Sequence, residues 1–338
     1  MKVLVTGGTG FIGSHTVVEL QQQGHEVWII DNLSNSGMEV LEGIAKITGT
    51  KPSFEKLDLL DFDALNTFFS AQGPFDGVIH FAAFKAVGES MLEPLKYYRN
   101  NLGCTANLLS CMQTFGCHCL VFSSSCTVYG QPDVLPVDEN APVKPALSPY
   151  GNTKQISEEM IFDASRSFAL RAEILRYFNP IGAHESACIG ELPIGPPNNL
   201  VPYITQTAIG KRDELSIFGN DYNTPDGTCV RDYIHVMDLA TAHVAALDRI
   251  LSLKEASTYE VFNLGTGKGY SVMEVIQTFE KTSGQKLKYR FAPRRAGDVD
   301  QVWADTRKAN QILKWNASRT LEEMVASSWK WEQALNSK

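Results

Sequence analysis

The feature that most constrains this chain stands near its first residue. Val3-Leu4-Val5-Thr6 runs directly into Gly7-Gly8-Thr9-Gly10-Phe11-Ile12-Gly13, and residues 15–23 then read as a helix that ends before Gly24. Glycines let the backbone turn tightly and approach a ligand closely, and the helix that follows presents its free N–H groups and positive end to the same point. A strand, a Gly-x-x-Gly-x-x-Gly turn and a helix in that order suit a pyrophosphate, with Gly7, Gly10, Phe11, Ile12 and Gly13 as the candidate contacts. A plain strand-to-helix turn can carry the same glycines, so the rest of the chain must decide.

Short apolar runs recur at 27–30, 54–57, 78–81, 120–123 and 174–177, with helical stretches between them. Runs of four or five apolar residues without alternation suit strands covered on both faces, and their alternation with helices predicts an α/β fold: a doubly wound parallel sheet of the Rossmann type. After Phe178 the rhythm breaks at Pro180, Pro193, Pro196, Pro197 and Pro202. The expectation is a dinucleotide-binding domain over 1–178 and a smaller, irregular substrate domain over 179–338. Residues 233–246 read as helical again and are expected to pack back on the first domain. A chain of 338 residues, 43% hydrophobic, can bury the core that such an architecture needs.

The formal charge is −8. That sign excludes the basic footprint of a nucleic-acid or anionic-membrane binder at the level of the whole chain, so an anionic ligand has to be met by local cations. No apolar run reaches the ~18 residues of a membrane span, and Met1-Lys2 leads straight into the first strand with no room for a signal segment. A cytoplasmic protein is expected, without a membrane or nucleic-acid partner. The cysteines number seven, an odd count without paired metal spacing, so they are expected to be reduced core residues and no metal site is expected.

Asp31 closes the second apolar run, 18 positions after Gly13. A carboxylate there accepts hydrogen bonds from the adenosine ribose and repels a 2′-phosphate, which favours NAD over NADP. Asn32, Asp58 and Leu59 are candidates for the same end of the cofactor. Asp58 is expected to end the third strand, and either receives the adenine amino group or caps a helix over 59–69.

Tyr150-Gly151-Asn152-Thr153-Lys154 puts a phenol and an ammonium four apart, on one face of a helix opened by Ser148-Pro149. A phenol is a poor base near neutral pH, and a neighbouring cation is expected to lower it. Tyr-x-x-x-Lys alone also describes ordinary helix surface. Ser123-Ser124-Ser125-Cys126 changes the reading, because it ends an apolar strand at the edge where a doubly wound sheet faces its ligand, and Ser125 can hydrogen-bond the reacting oxygen beside Tyr150.

Glycine loop, serine strand and tyrosine–lysine helix, in that order, resemble the extended short-chain dehydrogenase/reductase family. Six further segments are similar to the UDP-hexose 4-epimerases within it. They are residues 80–90 around Phe81-Ala82-Ala83-Phe84-Lys85, Arg176-Tyr177-Phe178-Asn179-Pro180, Pro197-Asn198-Asn199-Leu200, residues 218–222 beginning at Phe218, residues 230–236 containing Arg231, and Arg294-Arg295-Ala296-Gly297-Asp298. The resemblance implies Ser125, Tyr150 and Lys154 as the catalytic residues. It implies Phe81, Ala82, Ala83, Lys85, Asn100 and Phe178 around NAD, together with Tyr150 and Lys154. It also implies Asn179, Asn199, Leu200, Phe218, Arg231, Arg295 and Asp298 around a UDP-hexose. Arg231 and Arg295 have the forked geometry that clamps a diphosphate, although surface ion pairs explain such arginines equally well, and Phe218 either lies against uracil or packs in a core.

The implied reaction is the interconversion of UDP-galactose and UDP-glucose through a 4-keto sugar, in a homodimer. Departures from the family pattern are Phe11 for Tyr, Ala83 for Gly, Cys126 for Ala and Cys229 for Gly, and none removes a reacting group. Val302 stands where some relatives carry a bulky Tyr behind the sugar's C2 substituent, which predicts room for N-acetylated UDP-hexosamines. The nearest rival is another nucleotide-sugar enzyme of the same family, a 4,6-dehydratase or a decarboxylase; a dehydratase usually has Asp-Glu directly after the catalytic hydroxyl residue, where this chain has Cys126-Thr127. A non-enzymatic NAD(H)-binding protein is the reading from a different class.

Overall fold

Strand, glycine turn and helix form as the first residues require, and the pattern repeats. The computed structural model describes residues 1–295 and 298–337. The first half runs β1 (Lys2–Thr6), α1 (Phe11–Gln22), β2 (Glu26–Asp31), α2 (Glu39–Thr48), β3 (Ser53–Lys56), α3 (Phe62–Gln72) and β4 (Gly77–His80). Three successive helical pieces follow, α4 (Val87–Leu92), α5 (Pro94–Tyr97) and, after one π turn, α6 (Gly103–Thr114), then β5 (Cys119–Ser125), α7 (Pro149–Ser167) and β6 (Arg171–Tyr177). The second half carries β7 (Asn179–Ile181), α8 (Leu200–Ala208), β8 (Leu215–Phe218), β9 (Val230–His235), α9 (Val236–Ser252), β10 (Thr258–Leu264), β11 (Gly269–Ser271), α10 (Val272–Ser283), β12 (Tyr289–Ala292), β13 (Gln301–Val302) and α11 (Leu321–Asn336).

The expected doubly wound sheet is present. Seven parallel strands lie in the order β10-β6-β5-β4-β1-β2-β3. The order reverses at β1, and Thr6 lies opposite both Ile30 of β2 and His80 of β4, so the three carboxyl ends are level. Such a reversal opens a crevice beyond those ends, where ligands bind. Side chains alternate across the sheet. Val3 and Val5 join α1 and α9 on one face through Val17, Leu20, Leu239 and Leu247, while Leu4 joins α3, α6 and α7 on the other through Phe69, Leu108 and Ile161. Each such fully buried aliphatic side chain contributes roughly 1.5–3 kcal/mol relative to exposure.

The sheet is not built from the first half alone. β10, which no pattern in the sequence marked as a strand of this sheet, pairs with β6 along its whole length, and α9 covers the sheet next to α1. The helix expected from residue 233 starts three residues later, because Tyr233, Ile234 and His235 finish β9 and pair with β7. The remaining second-half elements form a separate core of α8, α10 and α11 around β8 and β9, with Ile204, Phe279 and Met324 at its centre. Between the halves lies a small cluster of Val128, Tyr129, Phe178 and Val302.

Candidate active site

The glycine loop is shaped for a close ligand. Gly7 has φ +70°, and a Cβ there would sit 2.7 Å from the Ala82 backbone nitrogen; a Cβ on Gly13 would sit 2.9 Å from Gly8 Cα. Helix α1 begins after Gly10 with no side-chain cap, which leaves its first N–H groups for a ligand. Phe11 packs edge-on against His15 at 5.3 Å, and Ile12 turns into the core. Asp31 ends β2 and is buried. Its carboxylate accepts from Thr9 N (3.2 Å) and Leu33 N (2.9 Å), which holds it at the mouth of the loop. These residues fit a dinucleotide: the loop admits the pyrophosphate, and Asp31 stands where a ribose would lie.

Asp58 does not end a strand, since β3 stops at Lys56. Nor does it cap the following helix, whose N-cap is Asp61, accepting from Ala64 N at 3.0 Å. Asp58 instead accepts from Asn32 Nδ2 at 3.1 Å and from Leu60 N at 2.9 Å, tying the ends of β2 and β3 together, while Leu59 is buried beneath them. Phe81, directly after β4, packs on His243 at 4.7 Å, and Ala82 and Ala83 continue along the loop. Asn100 sits in the π turn and donates to Asn101 Oδ1. Phe178 is buried at the end of β6 and donates its N–H to Leu264 O.

Ser148 accepts from Gly151 N at 3.1 Å and Pro149 occupies the first position of α7, so the helix starts as its sequence predicts. That start turns Tyr150 and Lys154 inward, and both are buried. Tyr150 lies beside Ser125, the last residue of β5, whose hydroxyl is the group that lowers its phenol. Ser125 Oγ accepts from Thr127 N (3.2 Å) and Thr127 Oγ1 (3.0 Å). Lys154 Nζ donates to Ser123 O at 2.5 Å and lies 4.8 Å from the Phe122 ring centre.

The charges do not fall as the sequence suggests. Burial pushes the Tyr150 phenol up to about 12, with Ser125 opposing, and burial draws Lys154 down to about 7, with Glu158 opposing. The lowering expected from Lys154 is absent, desolvation dominates, and the chain's own groups leave Tyr150 protonated at neutral pH. Burial likewise pushes the partly accessible Cys126 thiol up to about 12, so it is not a thiolate.

The substrate-side candidates collect on the second-half strands. Arg231 on β9 donates to Val230 O and faces Asp298 at 3.6 Å. Val302 on β13 is the register partner of Arg231 and is buried. Arg295 lies 4.5 Å above the Phe218 ring, which is 38% exposed and so not a core residue. Asp298 N donates to Arg295 O. Ala296 and Gly297 of this segment lie outside the described residues. Asn179 opens β7, and Asn199 and Leu200 open α8.

Three residues of this region carried no signal in the sequence reading. Glu191 accepts from Lys85 Nζ (3.0 Å) and from Asn199 Nδ2 (2.6 Å), joining a cofactor-side candidate to a substrate-side one. Asp232 is fully buried beside Arg231. Glu158 follows Lys154 by four positions, a helical spacing that the Tyr150–Lys154 pair already displays.

A glycine loop at the switch point of a parallel sheet, with a serine strand end meeting a tyrosine–lysine helix, defines an extended short-chain dehydrogenase/reductase. The comparisons agree and narrow it. The family model described as GDP-mannose 4,6 dehydratase matches residues 4–328. The UDP-glucose 4-epimerase of Bacillus subtilis is 51% identical over 99% of this chain and 97% of its own length, and that of Homo sapiens is 50% identical over 98% and 96%. The crystal structure of the UDP-glucose 4-epimerase of Stenotrophomonas maltophila with NAD and formylated UDP-arabinopyranose superposes with a TM-score of 0.96 at 48% identity, covering 100% of this chain and 99% of that one. That of Bifidobacterium longum with NAD+ and UDP gives 0.95 at 44%, covering 99% and 98%. The chain belongs to the UDP-glucose 4-epimerase family.

Proposed function

We propose that this chain is an NAD-dependent isomerase that interconverts UDP-galactose and UDP-glucose at C4, with Ser125, Tyr150 and Lys154 as its catalytic residues. The observation that carries the reading is the burial of Tyr150 and Lys154 of α7 at the carboxyl end of β5, where Ser125 lies beside the phenol and Lys154 is anchored to the same strand. Gly7, Gly10, Phe11, Ile12 and Gly13 hold the cofactor's pyrophosphate, Asp31 its ribose, and Phe81, Ala82, Ala83 and Lys85 the opposite wall. When bound, NAD supplies a hydride acceptor that becomes a donor, and in its oxidised form a positive ring. Tyr150 takes the proton from the sugar's O4 and later returns it, and Ser125 holds that oxygen in reach. The product of the first half is a 4-ketose. The second half inverts C4 only if the sugar turns over while the nucleotide stays. Arg231 and Arg295 anchor the diphosphate, and Val302 and Cys126 offer the hexose little to grip.

The dehydratase alternative lacks its acid and base. Cys126 is a protonated thiol, and the Thr127 hydroxyl is spent on Ser125. Val302 leaves space behind C2, so the same site takes UDP-N-acetylglucosamine and UDP-N-acetylgalactosamine. Leu92 and Leu95, 84% and 76% exposed on α4 and α5 beside Met91, are apolar surface that a second copy covers in a homodimer. Among the described residues no helix is long and apolar enough to cross a membrane.

The test is proton NMR of the NAD-loaded protein with UDP-galactose and, separately, UDP-N-acetylglucosamine. UDP-glucose appearing without a keto product supports the assignment. A 4-keto-6-deoxy product replaces it with dehydration, no reaction with either sugar defeats it, and failure with the N-acetylated sugar alone removes the broader specificity. A monomer mass in sedimentation equilibrium at micromolar concentration removes the homodimer.

A further inference from the structure

We infer that Glu158, held between Ser124 and Arg176, is a positioning residue for Lys154, fixing the height of α7 on the sheet and keeping the lysine in its charged form. The inference rests on the reading of Lys154 as catalytic. Tyr150, Lys154 and Glu158 are four apart on α7, and all three are buried. The Glu158 carboxylate accepts from Ser124 Oγ at 2.5 Å, from Arg176 Nε at 2.9 Å and from Arg176 Nη2 at 2.5 Å. Ser124 of β5 and Arg176 of β6 are direct register partners, so one carboxylate ties the helix to two adjacent strands. One residue before Ser124, the Ser123 carbonyl accepts the Lys154 ammonium.

A buried ion pair is seldom the most stabilising filling for its space; apolar side chains of similar volume usually do as well or better. The bidentate pair therefore points to a role in placing a neighbour. The groups facing Lys154 support this. His80 on β4 is held neutral by burial, which pushes it down to about 3, and burial pushes the Tyr150 and Tyr177 phenols up, leaving them protonated. Glu158 is the carboxylate whose charge opposes the desolvation of Lys154. The Tyr177 hydroxyl is hydrogen-bonded to Ser123 Oγ and braces the strand that receives the lysine.

The test is Glu158→Gln, which keeps the shape and loses the charge. Two quantities are read in the NAD-loaded protein: the titration of the Lys154 13Cε resonance, assigned with Lys154→Met, and the alkaline limb of kcat for UDP-galactose. Both are expected to move to lower pH by about one unit or more, which lowers the charged fraction at a pH equal to the wild-type midpoint roughly fivefold. Arg176 left unpaired endangers folding, so the double variant E158Q/R176M is measured alongside; it is expected to shift both quantities in the same direction. A folded variant of either kind with wild-type midpoint and limb overturns the inference. Wild-type turnover in Lys154→Met overturns the catalytic reading instead, while the 13Cε titration still reports on Glu158.

Discussion

Tyr150 is a residue whose chemistry and environment oppose each other. The proposed reaction asks its oxygen to accept a proton, while burial pushes the phenol up to about 12 and only Ser125 pulls it back. A group in that position works only when a further positive charge arrives with the cofactor. Removing the hydroxyl removes the proton carrier and little else, since the ring remains to pack. Tyr150→Phe is therefore expected to lower kcat by about 10²–10⁴-fold with UDP binding, followed by calorimetry, changed little. Turnover within tenfold of wild type would refute the assignment.

At the scale of the element, one side chain of β9 ties it to two distant segments beyond its strand partners. Asp232 accepts from Thr266 N (2.8 Å), Thr266 Oγ1 (2.7 Å), Gly267 N (3.1 Å) and Ala304 N (3.1 Å), joining β9 to the turn after β10 and to the exit of β13. Burial pushes this carboxyl up, and the four donors oppose that. Its neighbours Arg231 and Val302 are placed through this junction. Asp232→Ala leaves three backbone N–H groups without a partner and the Thr266 hydroxyl with only Lys268 O, at a cost of about 3–5 kcal/mol. Calorimetry is expected to show Tm lowered by roughly 5–10 °C, and the variant should bind UDP more weakly. An unchanged Tm would show that water or a local shift satisfies these donors.

The molecule as a whole carries a stability that depends on pH through buried histidines. Burial lowers His15, His80 and His235 from 6.5 to about 3 and His243 to about 4. Between those values and 6.5 the unfolded chain binds protons that the folded chain refuses, so stability is full above pH 6.5 and is lost as pH falls below it. The loss is up to about 1.4 kcal/mol per pH unit for each histidine. Glu173, pushed by burial from 4.5 up to about 7, acts in the opposite sense over much of that window, as do Glu19, Glu139 and Asp232, which burial also raises, while His25 and His184, lowered by burial, add to the four imidazoles. The urea midpoint is expected to fall steadily from pH 6.5 to pH 4.5. A flat midpoint would contradict the burial of neutral imidazoles.

The sequence by itself determined whatever depends on neighbours along the chain. The strand–glycine–helix start, the rhythm of the parallel sheet, the Ser148-Pro149 opening of α7 and the four-residue spacing of Tyr150 and Lys154 are local, because periodicity, capping and backbone freedom act over a few residues. Asp58 shows where local reading fails: the sequence offered it as the cap, and the helix is capped by Asp61. The tertiary structure alone decided which distant segments meet. β10 closes the sheet against β6 from more than 80 positions away, Arg176 finds Glu158, Glu191 joins Lys85 to Asn199, and Asp232 ties β9 to the turn after β10 and the exit of β13. It also decided the charge states around Tyr150 and Lys154, since desolvation is set by what surrounds a group in space and leaves no mark on the residues beside it in the chain.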